Sequence, residues 1–329
     1  MPPRVLREQA TGLQAGGLRT AAVTLRIGTR GSALAVAQTS TMARELERIT
    51  GEQTELVRVT THGDVTRAAL SSLGGTGVFA SELRDALLAG ECDLVVHSLK
   101  DLPTAKAPGL TVAAYPVRED ARDALCSLGG ASGLSLAELP HGAKVGTGSP
   151  RRVAQLLTLR PDLEIRDIRG NVERRLRFVT DGELDAVVLA AAGLERLGFA
   201  DAITERFDLA DFPNAPGQGC LAIEVRDDDA PAGVAELDDR EARAAVLVER
   251  GILATLEAGC AAPVGAAARY ADGKLEAWAT VYAVDGSSRV SSRRAVEVSD
   301  PGAFDAAQAE LVSLISTDLF DQGAVALMA

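Results

Sequence analysis

Eight arginines lie between residues 151 and 177 of an acidic chain. They are Arg151, Arg152, Arg160, Arg166, Arg169, Arg174, Arg175 and Arg177, against only four acidic residues in the same window, Asp162, Glu164, Asp167 and Glu173. A guanidinium group presents a rigid fork of donors that matches carboxylate or phosphate. Two interpretations are open: a site for an anionic ligand, or a solvated, salt-bridged helix face, which is the usual role of a charge run.

Two other regions carry groups that could react. Asp101 follows Lys100 on a polar loop after the apolar run 93–96, which makes it a candidate acid or base. Spacing alone favours a turn-stabilising aspartate instead. Lys100 could form a Schiff base or act as a counter-charge. Cys260, on a loop after a helical pattern, is a candidate nucleophile or attachment point, although spacing alone favours an inert thiol.

Composition excludes several classes of protein. The 329 residues predict two or three domains. Aromatic residues make up only 3% of the chain and its net charge is -12, and both values disfavour nucleic-acid binding. No apolar run approaches the ~20 residues that span a bilayer. Residues 1–23 lack the apolar segment of a secretory signal, so we expect a disordered extension and a cytoplasmic protein with no membrane partner.

Common cofactor motifs are missing. Arg151 stands where a dinucleotide fingerprint starting at Gly146 needs glycine, and the glycine-rich loop 74–77 lacks the lysine of a P-loop. The three histidines are scattered, so no metal site is expected. A nucleotide-dependent transferase is therefore disfavoured. A two-domain, carboxylate-binding protein of the solute-receptor type remains an alternative.

The elements that must position these groups alternate between strands and helices. The order apolar strand, Gly-Thr, Ser, helix occurs at 27–32 and again at 145–149, and similar buried strands follow at 93–96 and 184–189. Such alternation predicts mainly parallel sheets, with ligands beyond the carboxyl ends of the strands and at helix N-termini. Two similar units facing each other would enclose a cleft. After about residue 238 the pattern changes to a small α+β domain.

Six motifs, in order along the chain, resemble the porphobilinogen deaminase (hydroxymethylbilane synthase) family. They are the runs 26–32, 96–103, 118–123, 145–175, 217–219 and 256–265. The resemblance implies two periplasmic-binding-protein-like α/β domains around a cleft, plus a small α+β C-terminal domain with a three-stranded sheet. We predict that the first domain spans 24–117 and 218–237, the second 118–217, and the third 238–329.

The resemblance also implies a transferase of tetrapyrrole and haem biosynthesis. That family joins four porphobilinogen molecules head to tail, releases ammonia at each step, and frees hydroxymethylbilane by hydrolysis. The chain grows on a dipyrromethane cofactor held by a thioether to a cysteine, which Cys260 matches. Asp101 matches the family's catalytic aspartate. A carboxylate suits that role, since it can stabilise positive charge on pyrrole nitrogens and move a proton. Members of the family are usually monomeric, so we expect a monomer.

Every pyrrole carries an acetate and a propionate, so the growing chain is a polycarboxylate. The positions that match the family's cofactor-binding residues are Ser32, Ser98, Lys100, Thr147, Ser149, Arg151, Arg152, Asn171 and Gln218; those that match its substrate-binding residues are Arg30, Gln38, Arg169, Gly170, Arg175 and Arg196. The chain departs from the family at Gly148, where serine is usual, and at His62, Ser72 and Thr76, where basic residues are common.

Overall fold

The computed structural model describes residues 24–59, 80–258, 262–298 and 300–328. The predictions made for residues 1–23, for the loop 70–78 and for Cys260 fall outside these ranges. No helix within them is long and apolar enough to cross a membrane.

The first sheet has five strands in the order β2-β1-β3-β10-β4. Their bounds are β1 Thr24–Arg30, β2 Gln53–Val59, β3 Leu94–Ser98, β4 Leu110–Ala114 and β10 Leu221–Arg226. β1 pairs in parallel with β2 and β3, whereas β10 runs antiparallel to both of its neighbours. The helices α1 (Ala33–Thr50) and α2 (Ser81–Leu88) pack apolar residues into separate cores with this sheet.

The second sheet repeats this arrangement in the order β7-β6-β8-β5-β9. Its strands are β5 Asp123–Ser127, β6 Lys144–Gly146, β7 Glu164–Arg166, β8 Ala186–Ala190 and β9 Glu205–Arg206, and its helices are α3 Pro150–Leu159, α4 Val172–Thr180 and α5 Ala191–Arg196. β5 occupies the position of β10 and is likewise antiparallel to its neighbours. The predicted similarity between the two units thus extends to the order of strands in their sheets.

The third sheet is antiparallel and has the order β11-β12-β13. Its strands are β11 Val264–Ala271, β12 Lys274–Tyr282 and β13 Arg289–Glu297, with the helices α6 Arg240–Thr255, α7 Phe304–Asp321 and α8 Ala324–Met328. Leu253, Leu311 and Ile315 belong to a core shared by sheet and helices. The predicted fold class is confirmed: two α/β units and a separate α+β unit. The residue boundaries of the three domains remain a prediction.

Pattern analysis did not predict β5, β9 or α5. Every residue of β5 is buried, including the aspartate with which it begins. An acidic residue at the start of a short strand obscures the apolar run that would otherwise identify it.

Two crossover segments, residues 115–122 and 213–220, connect the first two sheets and lie side by side. Arg118 Nε donates to the carbonyl of Gln218 at 2.9 Å, and Glu119 N donates to the carbonyl of Gly219 at 3.2 Å. Glu249 of α6, which is fully buried, accepts both terminal nitrogens of Arg118 and the backbone N–H of Gly217. The third unit therefore fixes the crossover segments through one carboxylate.

Gly219→Ala is expected to lower the free energy of unfolding by about 2 kcal/mol or more. The backbone φ of Gly219 is +84°, and a Cβ would lie 2.6 Å from the carbonyl oxygen of Glu119. The substitution therefore combines backbone strain with a clash. Gly182→Ala is the matched control, because Gly182 has a φ of +73° with nothing near the Cβ position. Denaturant unfolding that shows equal losses in the two variants would contradict the clash.

Candidate active site

Three predicted binding residues are helix N-caps. The side chain of Ser32 accepts the N–H of Ala35 at the start of α1, and that of Asn171 accepts the N–H of Arg174 at the start of α4. Ser149 caps α3, in which Pro150 holds the first position as predicted. Each cap stabilises its helix, and the free N–H groups of these first turns favour a nearby anion.

Arg151 and Arg152, in the first turn of α3, are bound to one buried carboxylate. Arg151 Nη1 lies 2.8 Å from Asp123 Oδ2, and Arg152 Nη2 lies 2.6 Å from Asp123 Oδ1. Both arginines are less than a tenth exposed and Asp123 is fully buried. Burial raises the pKa of Asp123, but the two guanidinium groups outweigh it and hold that pKa well below its usual value. The two guanidinium groups and the one carboxylate together carry one net positive charge.

Lys100 and Gln218 join the same group of side chains from the first unit. Lys100 Nζ donates to Gln218 Oε1 at 3.1 Å, and Gln218 Nε2 donates to Asp123 Oδ1 at 2.9 Å. Burial lowers the pKa of Lys100 to about 8; the charges of Arg152 and Arg151 contribute to this shift, and those of Asp101 and Asp123 oppose it. The connected set of Lys100, Gln218, Asp123, Arg151 and Arg152 thus spans both α/β units.

Arg175 is the cation whose environment best fits an absent anionic group. Burial, followed by the charges of Arg152 and Arg169, lowers the pKa of Arg175 to about 10. Its Nε is buried without a hydrogen-bond partner, and its guanidinium forms no ion pair with any residue in the described ranges. An unpaired, partly desolvated guanidinium is costly, and a ligand carboxylate would relieve that cost. Together with the surplus positive charge of Arg151, Arg152 and Asp123, this guanidinium fits a ligand with several carboxylates, which a dipyrromethane and a growing pyrrole chain both carry.

The other predicted ligands differ in how they are engaged. Gln38 Nε2 lies 2.9 Å from Ser98 Oγ, which links α1 to the end of β3. Thr147 is buried, and its hydroxyl accepts the N–H of Ser149. Arg169 is partly exposed and lies 3.4 Å from the carboxylate of Asp167. Arg30 ends β1 and Gly170 precedes the cap of α4.

Arg196 lies at the crossover segments and is already bound by the protein. Its Nε lies 2.8 Å from a carboxylate oxygen of Glu119, and its Nη2 donates to the carbonyl of Gly219 at 3.0 Å. These contacts tie α5 to both crossover segments. Its predicted contact with substrate would have to compete with them.

Asp101 lies exposed on a single 3-10 turn, Leu99–Asp101, directly after β3. Arg250 of α6 holds this turn from behind: it donates to the carbonyls of Leu99 and Leu102 at 3.2 and 3.0 Å, and to that of Pro103 at 2.6 Å. The turn that carries the Asp101 carboxylate is therefore fixed through its backbone carbonyls.

The two interpretations of the arginine window apply to different arginines. Arg160 binds Asp162 and backbone carbonyls, and Arg166 pairs with Glu164, so both belong to salt-bridged structure. Arg151 and Arg152 are instead buried around Asp123, and the Nε of Arg175 is buried without a hydrogen-bond partner. The sequence analysis did not identify Asp123, the counter-ion of Arg151 and Arg152. The only local indication was the position of this acidic residue at the start of the fully buried strand β5.

The chain combines two α/β units of the same strand order with an α+β unit, and its buried arginines carry a surplus of positive charge. The family model described as the porphobilinogen deaminase dipyrromethane cofactor binding domain matches residues 25–233, and the model of that family's C-terminal domain matches residues 243–312. This chain belongs to the porphobilinogen deaminase family.

Two bacterial relatives also support membership of this family. The porphobilinogen deaminase of Leifsonia xyli subsp. xyli is 55% identical over 92% of this chain and 94% of its own length. That of Thermobifida fusca is 53% identical over 92% of this chain and 95% of its own length. Among solved structures, a methionine-binding protein is 14% identical with a TM-score of 0.40, over 65% of this chain and 87% of that one.

Proposed function

We propose that this chain is a transferase that condenses four porphobilinogen molecules head to tail, releasing ammonia at each step, and then frees hydroxymethylbilane by hydrolysis. The observation that carries the proposal is the pair Arg151–Arg152 around the single carboxylate of Asp123. The two arginines and Asp123 together carry one net positive charge, and they lie beside the turn that bears Asp101. A polycarboxylate ligand and a proton-transferring carboxylate are what the reaction requires.

We assign the guanidinium and ammonium groups to the binding of acetate and propionate. Arg151, Arg152 and Lys100 hold the cofactor, together with the three helix caps, and Arg175 receives a carboxylate of the growing chain. When bound through Cys260, the dipyrromethane supplies the pyrrole carbon to which substrate is added. The protein's own contribution is to neutralise and orient carboxylates in a partly desolvated cleft, where charge-assisted hydrogen bonds are strong.

Asp101 is proposed to carry the proton chemistry. Loss of ammonia from porphobilinogen leaves an electron-poor ring, and positive charge develops on a pyrrole nitrogen. A carboxylate within hydrogen-bond reach stabilises that charge and can accept or return a proton. The exposed position of Asp101 on a turn fixed by Arg250 supports this assignment.

The remaining expectations complete the proposal. We infer that the chain works as a cytoplasmic monomer, without nucleic-acid or membrane partners. The net charge of -12 and the scarcity of aromatic residues support the absence of a nucleic-acid partner. Light scattering of the purified holoenzyme tests the monomer, and a dimer mass at assay concentration would contradict it.

Product analysis tests the function. Purified protein is incubated with porphobilinogen, and free ammonia and hydroxymethylbilane are measured together. We expect four ammonia molecules for each hydroxymethylbilane. A carboxylate-binding receptor, the alternative function, would bind porphobilinogen without releasing ammonia, and that result would overturn the proposal.

Lys100 is expected to set an alkaline limit on primer assembly. Because the pKa of Lys100 is lowered to about 8, its ammonium loses a proton as pH rises through that value. Loss of a charged donor should lower the fraction of apoprotein that takes up the primer from porphobilinogen, measured by intact mass, roughly tenfold between about pH 7 and 9.5. Lys100→Met should load poorly at every pH, with no further change near pH 8. Lys106→Met, an exposed lysine nearby, is the control and should keep the wild-type profile.

A further inference from the structure

We propose that Gln155 is a positioning residue for the carboxylate-binding arginines and that it connects their placement to the C-terminal unit. The inference rests on the proposed function, in which Arg151 and Arg152 hold carboxylates of the cofactor. Gln155 itself is buried, with 1% of its surface exposed, and does not touch the ligand in this proposal.

Gln155 lies one helical turn after Arg151 on α3, so the two side chains share a face. Its Oε1 accepts Arg151 Nη1 at 2.6 Å. Its Nε2 donates to the carbonyl of Pro213 at 2.9 Å and lies 3.4 Å from the hydroxyl of Tyr282. One amide therefore contacts the arginine, a crossover segment and the end of β12.

The guanidinium of Arg151 is fixed through one nitrogen. Within the described ranges, its side-chain hydrogen bonds all start at Nη1, and they reach Asp123, Gln155 and the carbonyl of Pro213. Fixing Nη1 on three acceptors sets the plane of the group and so the positions of Nε and Nη2. In the proposal, a ligand carboxylate approaches Nε or Nη2, which have no hydrogen-bond partner within the described ranges.

The same geometry favours a neutral side chain at position 155. Arg151, Arg152 and Asp123 together carry one net positive charge. A neutral amide orients Arg151 without adding negative charge, whereas a glutamate of the same shape would remove one positive charge from the net charge of the connected set, to which Lys100 also contributes. A neutral side chain at this position therefore leaves the site more favourable for an anion than a glutamate would.

The link to the C-terminal unit has a second contact on the same helix. The hydroxyl of Thr158 donates to the carbonyl of Gly286, in the turn between β12 and β13. This contact joins the same two units but does not reach the arginines. Thr158 therefore offers a matched control: its removal weakens the packing of the units without disturbing Arg151.

The test compares Gln155→Glu, Gln155→Leu and Thr158→Val. After expression in cells that supply porphobilinogen, intact mass measures the fraction carrying the primer, and steady-state assays give KM and kcat. We expect Gln155→Glu to remain folded but to lose at least tenfold in primer loading. Gln155→Leu should raise KM more than it lowers kcat, and Thr158→Val should load and turn over like the wild type. Wild-type loading and KM in Gln155→Glu would overturn the inference.

Two further variants distinguish a failure of the positioning role from a failure of the proposed function. If Gln155→Glu fails to fold, Tyr282→Phe is tested instead, because it removes only the hydroxyl near Gln155 Nε2. We expect KM to rise roughly threefold in Tyr282→Phe, and an unchanged KM would refute the link between Gln155 and the C-terminal unit. Arg151→Leu reports on the underlying function. Normal loading in Arg151→Leu would remove the arginine's proposed role, whereas normal loading in Gln155→Glu alone would remove only the positioning role.

Discussion

Asp101→Asn should abolish turnover and leave the bound primer in place. Asparagine keeps the size of the side chain but can neither accept the proton nor balance positive charge on a pyrrole nitrogen. Proton transfer by a positioned group contributes about 10²–10⁴-fold, so kcat should fall by at least ~100-fold. The turn is held through backbone carbonyls by Arg250, so the substitution should not disturb the fold.

The measurement pairs steady-state rate with intact mass. Asp228→Asn, which neutralises an exposed carboxylate far along the chain, serves as the control and should keep full activity. Substantial turnover in Asp101→Asn would assign the proton chemistry to another group. Loss of the primer together with activity would move Asp101 from the reaction to cofactor assembly.

Arg152→Leu should yield protein without the primer. Arg152 uses Nε and Nη2 on Asp123 and Nη1 on the carbonyl of Val188, so leucine removes a ligand cation and also a buried ion-pair partner. Breaking a buried pair from one side costs about 3–5 kcal/mol. We therefore expect both a lower free energy of unfolding and a failure to load cofactor. Arg151→Leu should fail in loading as well.

Arg177→Leu is the control, because Arg177 is an exposed arginine of the same window. Intact mass and denaturant unfolding of the three variants separate the two effects. If Arg151→Leu and Arg152→Leu were both isolated as normal holoenzyme, these arginines would serve only the fold, through their buried ion pairs with Asp123.

Local features of the chain were predictable because local chemistry determines them. Ser32 and Asn171 cap their helices as expected, Pro150 begins α3, and the repeated strand–turn–helix order corresponds to two sheets of the same strand order. The arginine window also predicted an anion site in an acidic chain, and that site remains a prediction. These inferences needed only propensities, capping rules and charge.

Long-range pairing could not be predicted in the same way. Asp123 and Arg151 lie 28 residues apart, and Arg118 and Glu249 lie 131 apart. Nothing in the neighbourhood of either acid indicates its partner. Arg196 illustrates the reverse problem, since its family match suggests a ligand contact while its neighbours in space are Glu119 and Gly219. Burial and partner choice are tertiary properties, which a motif does not encode.

The most direct measurement of the central claim is the intact mass of the purified chain before and after porphobilinogen is added. The account predicts a covalent adduct on Cys260 equal to two porphobilinogen units less two ammonia molecules, followed by heavier species that each gain one further unit less ammonia. Cys260→Ser should show neither the adduct nor the series. An unmodified chain from cells that make porphobilinogen, with no heavier species on adding substrate, would contradict the account.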